Sequence, residues 1–215
     1  VGIIICAIVI HGTQSGIQRH VFMEALMEET HYTAFPNDKK RPRVHVIGNG
    51  ASNCLFDVEN EYRVACNIPQ HNITYNCLAI IDVIVVNWMK DNNYNPKVPI
   101  LCTNKVKEHS VKTKRSGHWF DVFEIKHRYS AGHHAVEHHA PMTDELHLWG
   151  FDSIWTNEYA SQMDTLVPRG KRPNLNNEWI PHWTNIFAKF KNTQFIIHAP
   201  QDAQLPELGE NVTKA

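Results

Sequence analysis

The chain lacks a paired cysteine motif. Its five cysteines, Cys6, Cys54, Cys66, Cys77 and Cys102, contain no C-x-x-C, which argues against a zinc knuckle and a thioredoxin-type redox motif. The odd count also argues against a disulfide framework, and a chain of 215 residues has no need of one. The cysteines read as reduced, mostly buried thiols of a cytoplasmic protein. A long hydrophobic run is missing too. The most apolar stretch, Val1 to Ile10, falls far short of the about 20 residues a membrane helix requires. No basic region precedes it, as a signal peptide would need. Its β-branched residues favour a buried strand, with a shortened membrane anchor as the alternative. Nor is there an excess of one charge: 21 Lys and Arg against 22 Asp and Glu leave −1. That balance speaks against a globally basic nucleic-acid binder and against an acidic disordered tail. Ten glycines and eleven prolines are too few for low complexity, and 42% hydrophobic residues suffice for a core.

What the chain has in excess is histidine, 15 residues, five of them between His127 and His139. Such a cluster raises the question of a metal site.

Short β-branched apolar runs alternate with helical patterns along the chain. Residues 1–42 read as an N-terminal extension, with a strand over Val1–Ile10, a helix over Ile17–Glu29 and a linker over Phe35–Pro42. Residues 43–200 read as the functional domain. Strands are predicted at Arg43–Ile47, Tyr62–Cys66, Ile80–Val86, Val98–Thr103, Trp119–Ile125, Glu145–Trp149 and Gln194–His198. A short helix is predicted towards Val58, and longer ones over Gly132–Ala140 and Trp179–Lys191. This alternation predicts an α/β, Rossmann-like fold with a mostly parallel sheet and helices on both faces. Residues 201–215 read as a loose tail. Two triplets, Asn72-Ile73-Thr74 and Asn211-Val212-Thr213, match the N-glycosylation pattern, which often arises by chance. The segments 103–128 and 166–191 are locally basic and read as solvated faces or as a rim for a phosphorylated donor.

Four short motifs carry chemistry. Gly48-Asn49-Gly50-Ala51-Ser52 follows a strand and precedes a helix, where α/β sheets bind ligands. Its glycines allow a tight turn and a close backbone approach to a phosphate. Ser52 can cap the next helix, whose free N–H groups favour an anion. The third glycine of the dinucleotide fingerprint is missing. Asn67 ends the second strand with an amide able to read a base or sugar. Ser130-Ala131-Gly132 places small residues at a helix start, suited to a phosphate or ribose. Gly150-Phe151-Asp152 ends a further strand with an acid two residues beyond a glycine.

In this order the four motifs resemble those of the bacterial sialyltransferases that use CMP-sialic acid. That family has Gly-Asn-Gly-Pro-Ser after its first strand, Arg-Cys-Asn at its second, Ser-Gly before a later helix and Gly-x-Asp after a further strand. The resemblance covers about Arg43 to Pro200. It implies a metal-independent glycosyltransferase moving a sugar, sialic acid for instance, from a CMP- or other nucleotide-activated donor to the hydroxyl of a glycan or small molecule. No cofactor beyond the donor and no nucleic-acid partner are implied. Gly48, Asn49, Gly50, Ser52, Asn67, Ser130, Gly132, Gly150 and Asp152 would bind the donor. Ala51 stands where the family has Pro, and Ala131 where it has a donor-contacting Ser. The region of the family's catalytic histidine, Arg172 to Asn177, holds none. His182 is the nearest candidate base, and Tyr159 is placed to assist the departing phosphate.

Two alternatives stand beside it. One is a nucleotide-binding or pyrophosphokinase-like protein without glycosyl transfer. The other is a zinc hydrolase, because His134-Ala135-Val136-Glu137-His138 matches H-x-x-E-H. His134 and His138 would share one helix face, Glu137 would be the base, and Glu145 or His147 would supply a third ligand. The plain alternative is a helix whose histidines pack and hydrogen-bond.

Overall fold

The computed structural model of the chain describes residues 41–58, 60–69, 73–113, 120–124, 126, 129–156, 161, 166 and 176–215. They belong to the second of two compact units, Thr33–Ala215. The strand and helix expected before residue 33 lie outside the described residues, as does most of the linker.

Eight strands form one sheet: β1 (Arg41–Ile47), β2 (Tyr62–Cys66), β3 (Cys77–Ile80), β4 (Ile100–Thr103), β5 (Phe120–Phe123), β6 (Thr143–Trp149), β7 (Gln194–His198) and β8 (Val212–Lys214). Their order is β5-β4-β3-β2-β1-β6-β7-β8, and every neighbouring pair is parallel. Among the described residues the helices are α1 (Val83–Asp91), α2 (Asn104–Lys112), α3 (Ala131–His139) and α4 (Asn176–Lys189), with 3₁₀ turns at Ala51–Leu55, Ala140–Met142 and Asp152–Ile154. The architecture is α/β and Rossmann-like. From β1 the chain steps outward through β2 to β5, then returns to the other side of β1 as β6. The loops after β1 and β6 therefore part at a topological switch point, where open α/β sheets bind ligands.

Alternate residues of each strand face opposite sides. Val44, Val46, Leu146, Leu148, Phe195 and Ile197 pack with Ala135 and Val136 of α3 and Trp183, Ile186 and Phe187 of α4. On the other side, Ala65, Leu78, Ile80 and Ile100 pack with Val85, Val86 and Met89 of α1 and Val106 of α2. Helices thus cover both faces. Cys54, Cys66, Cys77 and Cys102 are free thiols, all buried except Cys54, and burial pushes the Cys66 thiol up. Among the described residues no helix is long and apolar enough to cross a membrane.

Several boundaries differ from expectation. The run Ile80–Val86 is not one strand: β3 ends at Ile80, and α1 begins at Val83 after Asp82. A short β-branched apolar run fits a buried strand and a buried helix equally well. β1 begins at Arg41, two residues before the expected domain start, because Arg41 pairs with Thr143 of β6. The last fifteen residues are not a loose tail. Val212–Lys214 adds β8 to the sheet edge beside β7. The Asn211 side-chain amide lies 3.1, 3.1 and 3.0 Å from the carbonyls of Phe187, Phe190 and Thr193, so this triplet asparagine closes the end of α4.

Candidate functional site

A cavity of about 60 Å³ opens at the carboxyl ends of β1, β2 and β6, beside the first turn of α3. Gly48, Asn49 and Gly50 line it after β1, Asn67 after β2, Ser130 and Gly132 at α3, and Gly150 and Asp152 after β6. Eight of the nine expected donor-binding residues thus share one wall, and the ninth, Ser52, bonds to Asp152. A parallel sheet puts all strand ends on one edge, which is why motifs far apart in sequence meet. Cys66, Ala131, Phe151, Ser153, Ser161 and Trp179 complete the lining. Trp179 had no local signal beyond its place in an amphipathic helix.

The glycines admit close protein neighbours. The Gly48 N–H donates to the Trp149 carbonyl at 2.7 Å, and the Gly50 N–H to the Gly150 carbonyl at 2.9 Å. These bonds zip the β1 and β6 loops together. A Cβ on Gly50 would stand 2.7 Å from both the Asp152 carboxylate and the Gly150 oxygen, and one on Gly132 would stand 2.2 Å from the Phe151 ring. Gly150 adopts φ +71°, where a side chain is strained.

Ser52 does not cap the turn that follows. The cap position is Gly50, without a side-chain cap bond. The Ser52 hydroxyl donates to Asp152 Oδ1, and its N–H lies 3.3 and 3.2 Å from the two carboxylate oxygens. The anion at the start of this turn is therefore the protein's own carboxylate.

Asn49 presents a fixed acceptor. Asn49 is only 8% exposed. Its Nδ2 donates to the Cys66 carbonyl, which can only accept, so the amide orientation is determined. Its Oδ1 is buried with no partner among the described residues, and so is the Oδ1 of Asn67. Asn67 holds φ +59°, while its N–H donates to the Ala79 carbonyl at 2.8 Å. Left-handed backbone is a conformation asparagine tolerates better than most residues. Donors come from α3. Ser130 caps it reciprocally with His133, which satisfies the His133 N–H. The amides of Ala131 and Gly132 have no intrahelical acceptor, as at any helix start.

Two histidines of the cluster, His133 and His134, pack against aromatic rings. His133 is fully buried. Its Nδ1 lies 3.1 Å from the Ser130 N–H, and its ring stacks on Trp183 at 4.0 Å. Burial, reinforced by His182, holds it well below the ordinary histidine range. His134 stacks on Phe123 at 4.2 Å and is lowered to about 4, chiefly by burial. The third zinc ligands proposed from sequence are on the wrong side of the sheet. Leu146 and Leu148 face α3, so Glu145 and His147 face away from it. Glu137 is held by Lys126 and, at 2.7 Å, by Lys189. Among the described residues, no group of three His, Cys, Asp or Glu is placed to hold a metal ion.

His182 is not on the cavity wall. Its ring packs at 4.7 Å from Tyr129 and 5.9 Å from His133. Tyr159 lies outside the described residues.

Comparison of the chain with family models, with curated proteins and with solved structures finds no match in any of the three.

Proposed function

We propose that the chain binds a nucleotide-activated sugar, CMP-linked or similar, at the β1/β6 switch point, and serves transfer of that sugar to an acceptor hydroxyl. The observation that supports this is the polarity of the cavity wall. Asn49 Oδ1 and Asn67 Oδ1 are buried acceptors without partners, and the Asp152 carboxylate lies on the same wall. An unpaired buried acceptor costs about 1–3 kcal/mol, which a ligand bearing O–H or N–H groups recovers. Sugar hydroxyls and the exocyclic amine of a base are such groups. The start of α3 is the complementary place for the donor's phosphate. A cavity of about 60 Å³ takes one polar group of such a donor, and the rest lies at its mouth.

A second possibility, nucleotide binding without transfer, is favoured by the position of His182 away from the wall. Thermal-shift titration with CMP and UDP in the presence of a chelator tests the proposal, since a ligand that binds only the folded state raises its stability. CMP is expected to raise the melting temperature in the wild type and not in a folded Asn49→Ala variant. No shift with either nucleotide would overturn the binding proposal. Hydrolysis of a CMP-activated sugar, lost in His182→Asn, would separate transfer from binding alone.

A further inference from the structure

On the face of β1, β6 and β7 turned away from α3 and α4, three histidines form a row. His45 pairs in register with His147, and their rings stack at 4.5 Å. His198 pairs with Trp149, and these rings stack at 3.3 Å. His45 is 2% exposed.

The hydrogen bonds fix the tautomer of His45. An indole N–H can only donate, so His45 Nδ1, 3.1 Å from Trp149 Nε1, carries no proton. The ring's single proton is then on Nε2, which donates to Glu61 at 2.6 Å. His147 Nε2 donates to Glu145 at 2.7 Å. Its Nδ1 lies 2.8 Å from His198 Nε2. His45 is neutral in this arrangement. Among the described residues, the charged groups around the row are Glu61, Glu145, Arg43 and Asp57, with Arg63 paired to His45 on β2. Arg43 bonds Glu145 at 2.9 Å and Glu61 at 3.3 Å. Asp57 acts on His198 through space, and Arg63 is the register partner of His45.

A proton on His45 Nδ1 would set two donors against each other across that 3.1 Å contact. The bond to Trp149 cannot survive it. Trp149 also supplies the carbonyl that accepts the Gly48 N–H, and the next residue, Gly150, lines the cavity. We propose that His45 is an acid-sensitive latch beneath the cavity, whose protonation releases the Trp149 indole and loosens the Gly48–Trp149 and Gly50–Gly150 bonds joining the two loops. Burial holds His45 below the ordinary histidine range, so the latch is closed at neutral pH and opens in acid. The inference concerns the loops and does not depend on which ligand the cavity takes.

The test is an NMR titration of the full chain from pH 7.5 to 4.5, following the indole N–H of Trp149, the ring of His45 and the amides of Gly48 and Gly50. The indole is expected to shift with the same midpoint as His45, and both amides with it. In His45→Gln, whose amide oxygen can accept the indole N–H without titrating, that transition is expected to be lost. The proposal is overturned if the Trp149 indole has no transition of its own, staying fixed or moving only when all six indoles collapse together. It is also overturned if Gly48 and Gly50 do not follow, or if folded His45→Gln keeps the transition. Should the variant not fold, agreement or disagreement of the wild-type midpoints decides.

Discussion

The Asp152 carboxylate accepts both the hydroxyl and the amide of Ser52, 100 residues away in sequence. This pair ties the β6 loop to the β1 loop at the switch point of the sheet. It also puts a carboxylate where a strand-turn motif suggests a phosphate. Asp152→Ala strands two donors and is expected to cost about 1–3 kcal/mol. Ser52→Ala removes only the hydroxyl and should cost less. Because the two share one interaction, the double variant should cost less than the sum. Urea unfolding of the four proteins measures it, and strict additivity would show that the pair is not coupled.

Gly132 is the second point of close approach. Its Cβ position lies 2.2 Å from the Phe151 ring edge, and Phe151 packs edge-on to Trp183 at 5.2 Å. The ring cannot retreat without disturbing the α4 core. Gly132→Ala is therefore expected to destabilise by about 1–3 kcal/mol, as overpacking does. Phe151→Leu in the same chain should restore part of the loss. A neutral or stabilising Gly132→Ala, as helix propensity alone would give, would contradict the contact.

The convergence of these loops was legible because the four motifs each sit at a strand end. Once the strands are parallel, their ends share an edge, so Gly48, Asn67 and Gly150 had to meet near α3. Their partners were not legible. Nothing in Gly-x-Gly distinguishes a glycine that admits phosphate from Gly50, which admits Asp152. Histidine composition left the metal question open for a related reason: His133 and His134 are core side chains held by Trp183 and Phe123, and composition does not report burial. β8 was hidden because three residues in a polar stretch carry too little pattern, while its anchor is a side chain, Asn211, bonded across α4.

Those buried histidines make the fold acid-sensitive. His45, His133, His134 and His198 are all lowered, chiefly by burial, His134 and His198 to about 4. An unfolded histidine titrates near about 6.5. Between the folded and unfolded values the unfolded chain binds more protons. The stability these groups contribute is therefore complete above about pH 7 and is lost as pH falls through 6.5 towards 4. Glu61 and Glu137 are lowered as well, Glu61 by its bond to His45, and Glu137 by Lys126 and Lys189 against an opposing burial effect. Their share is lost only below the ordinary carboxylate range. Denaturant unfolding at pH 7.5, 6 and 5 should show a steady fall, and a flat profile would contradict it.

Asn211 should matter far more than its place just before a three-residue edge strand suggests. Its amide reaches three carbonyls, those of Phe187, Phe190 and Thr193. Its own carbonyl accepts the Phe195 N–H at 2.8 Å. Asn211→Ala removes the first set and is expected to lower stability by about 1–3 kcal/mol. Asn211→Asp should be as harmful or worse, because a carboxylate facing carbonyls has no donor to offer. Equal stability of wild type and both variants, by thermal unfolding, would mean that the end of α4 needs no such closure.

Under the proposed function, the cavity wall also orders the candidate ligands. Asn49 Oδ1, Asn67 Oδ1 and Asp152 all accept, and no Lys or Arg lies among the described wall residues. An inorganic phosphate finds only the first amides of α3 there, with a carboxylate nearby. A nucleoside brings hydroxyls and an amine to the acceptors. Cytidine is therefore expected to keep a measurable share of the affinity of CMP, while phosphate alone gives no stabilisation at the same concentration. Replacing the acceptor in Asn67→Ala should weaken cytidine and CMP by the same factor, since the lost bond belongs to the part they share. Calorimetric titration of the three ligands reads this directly. Binding of phosphate with no binding of cytidine would reverse the assignment and make the start of α3 the dominant feature of the site.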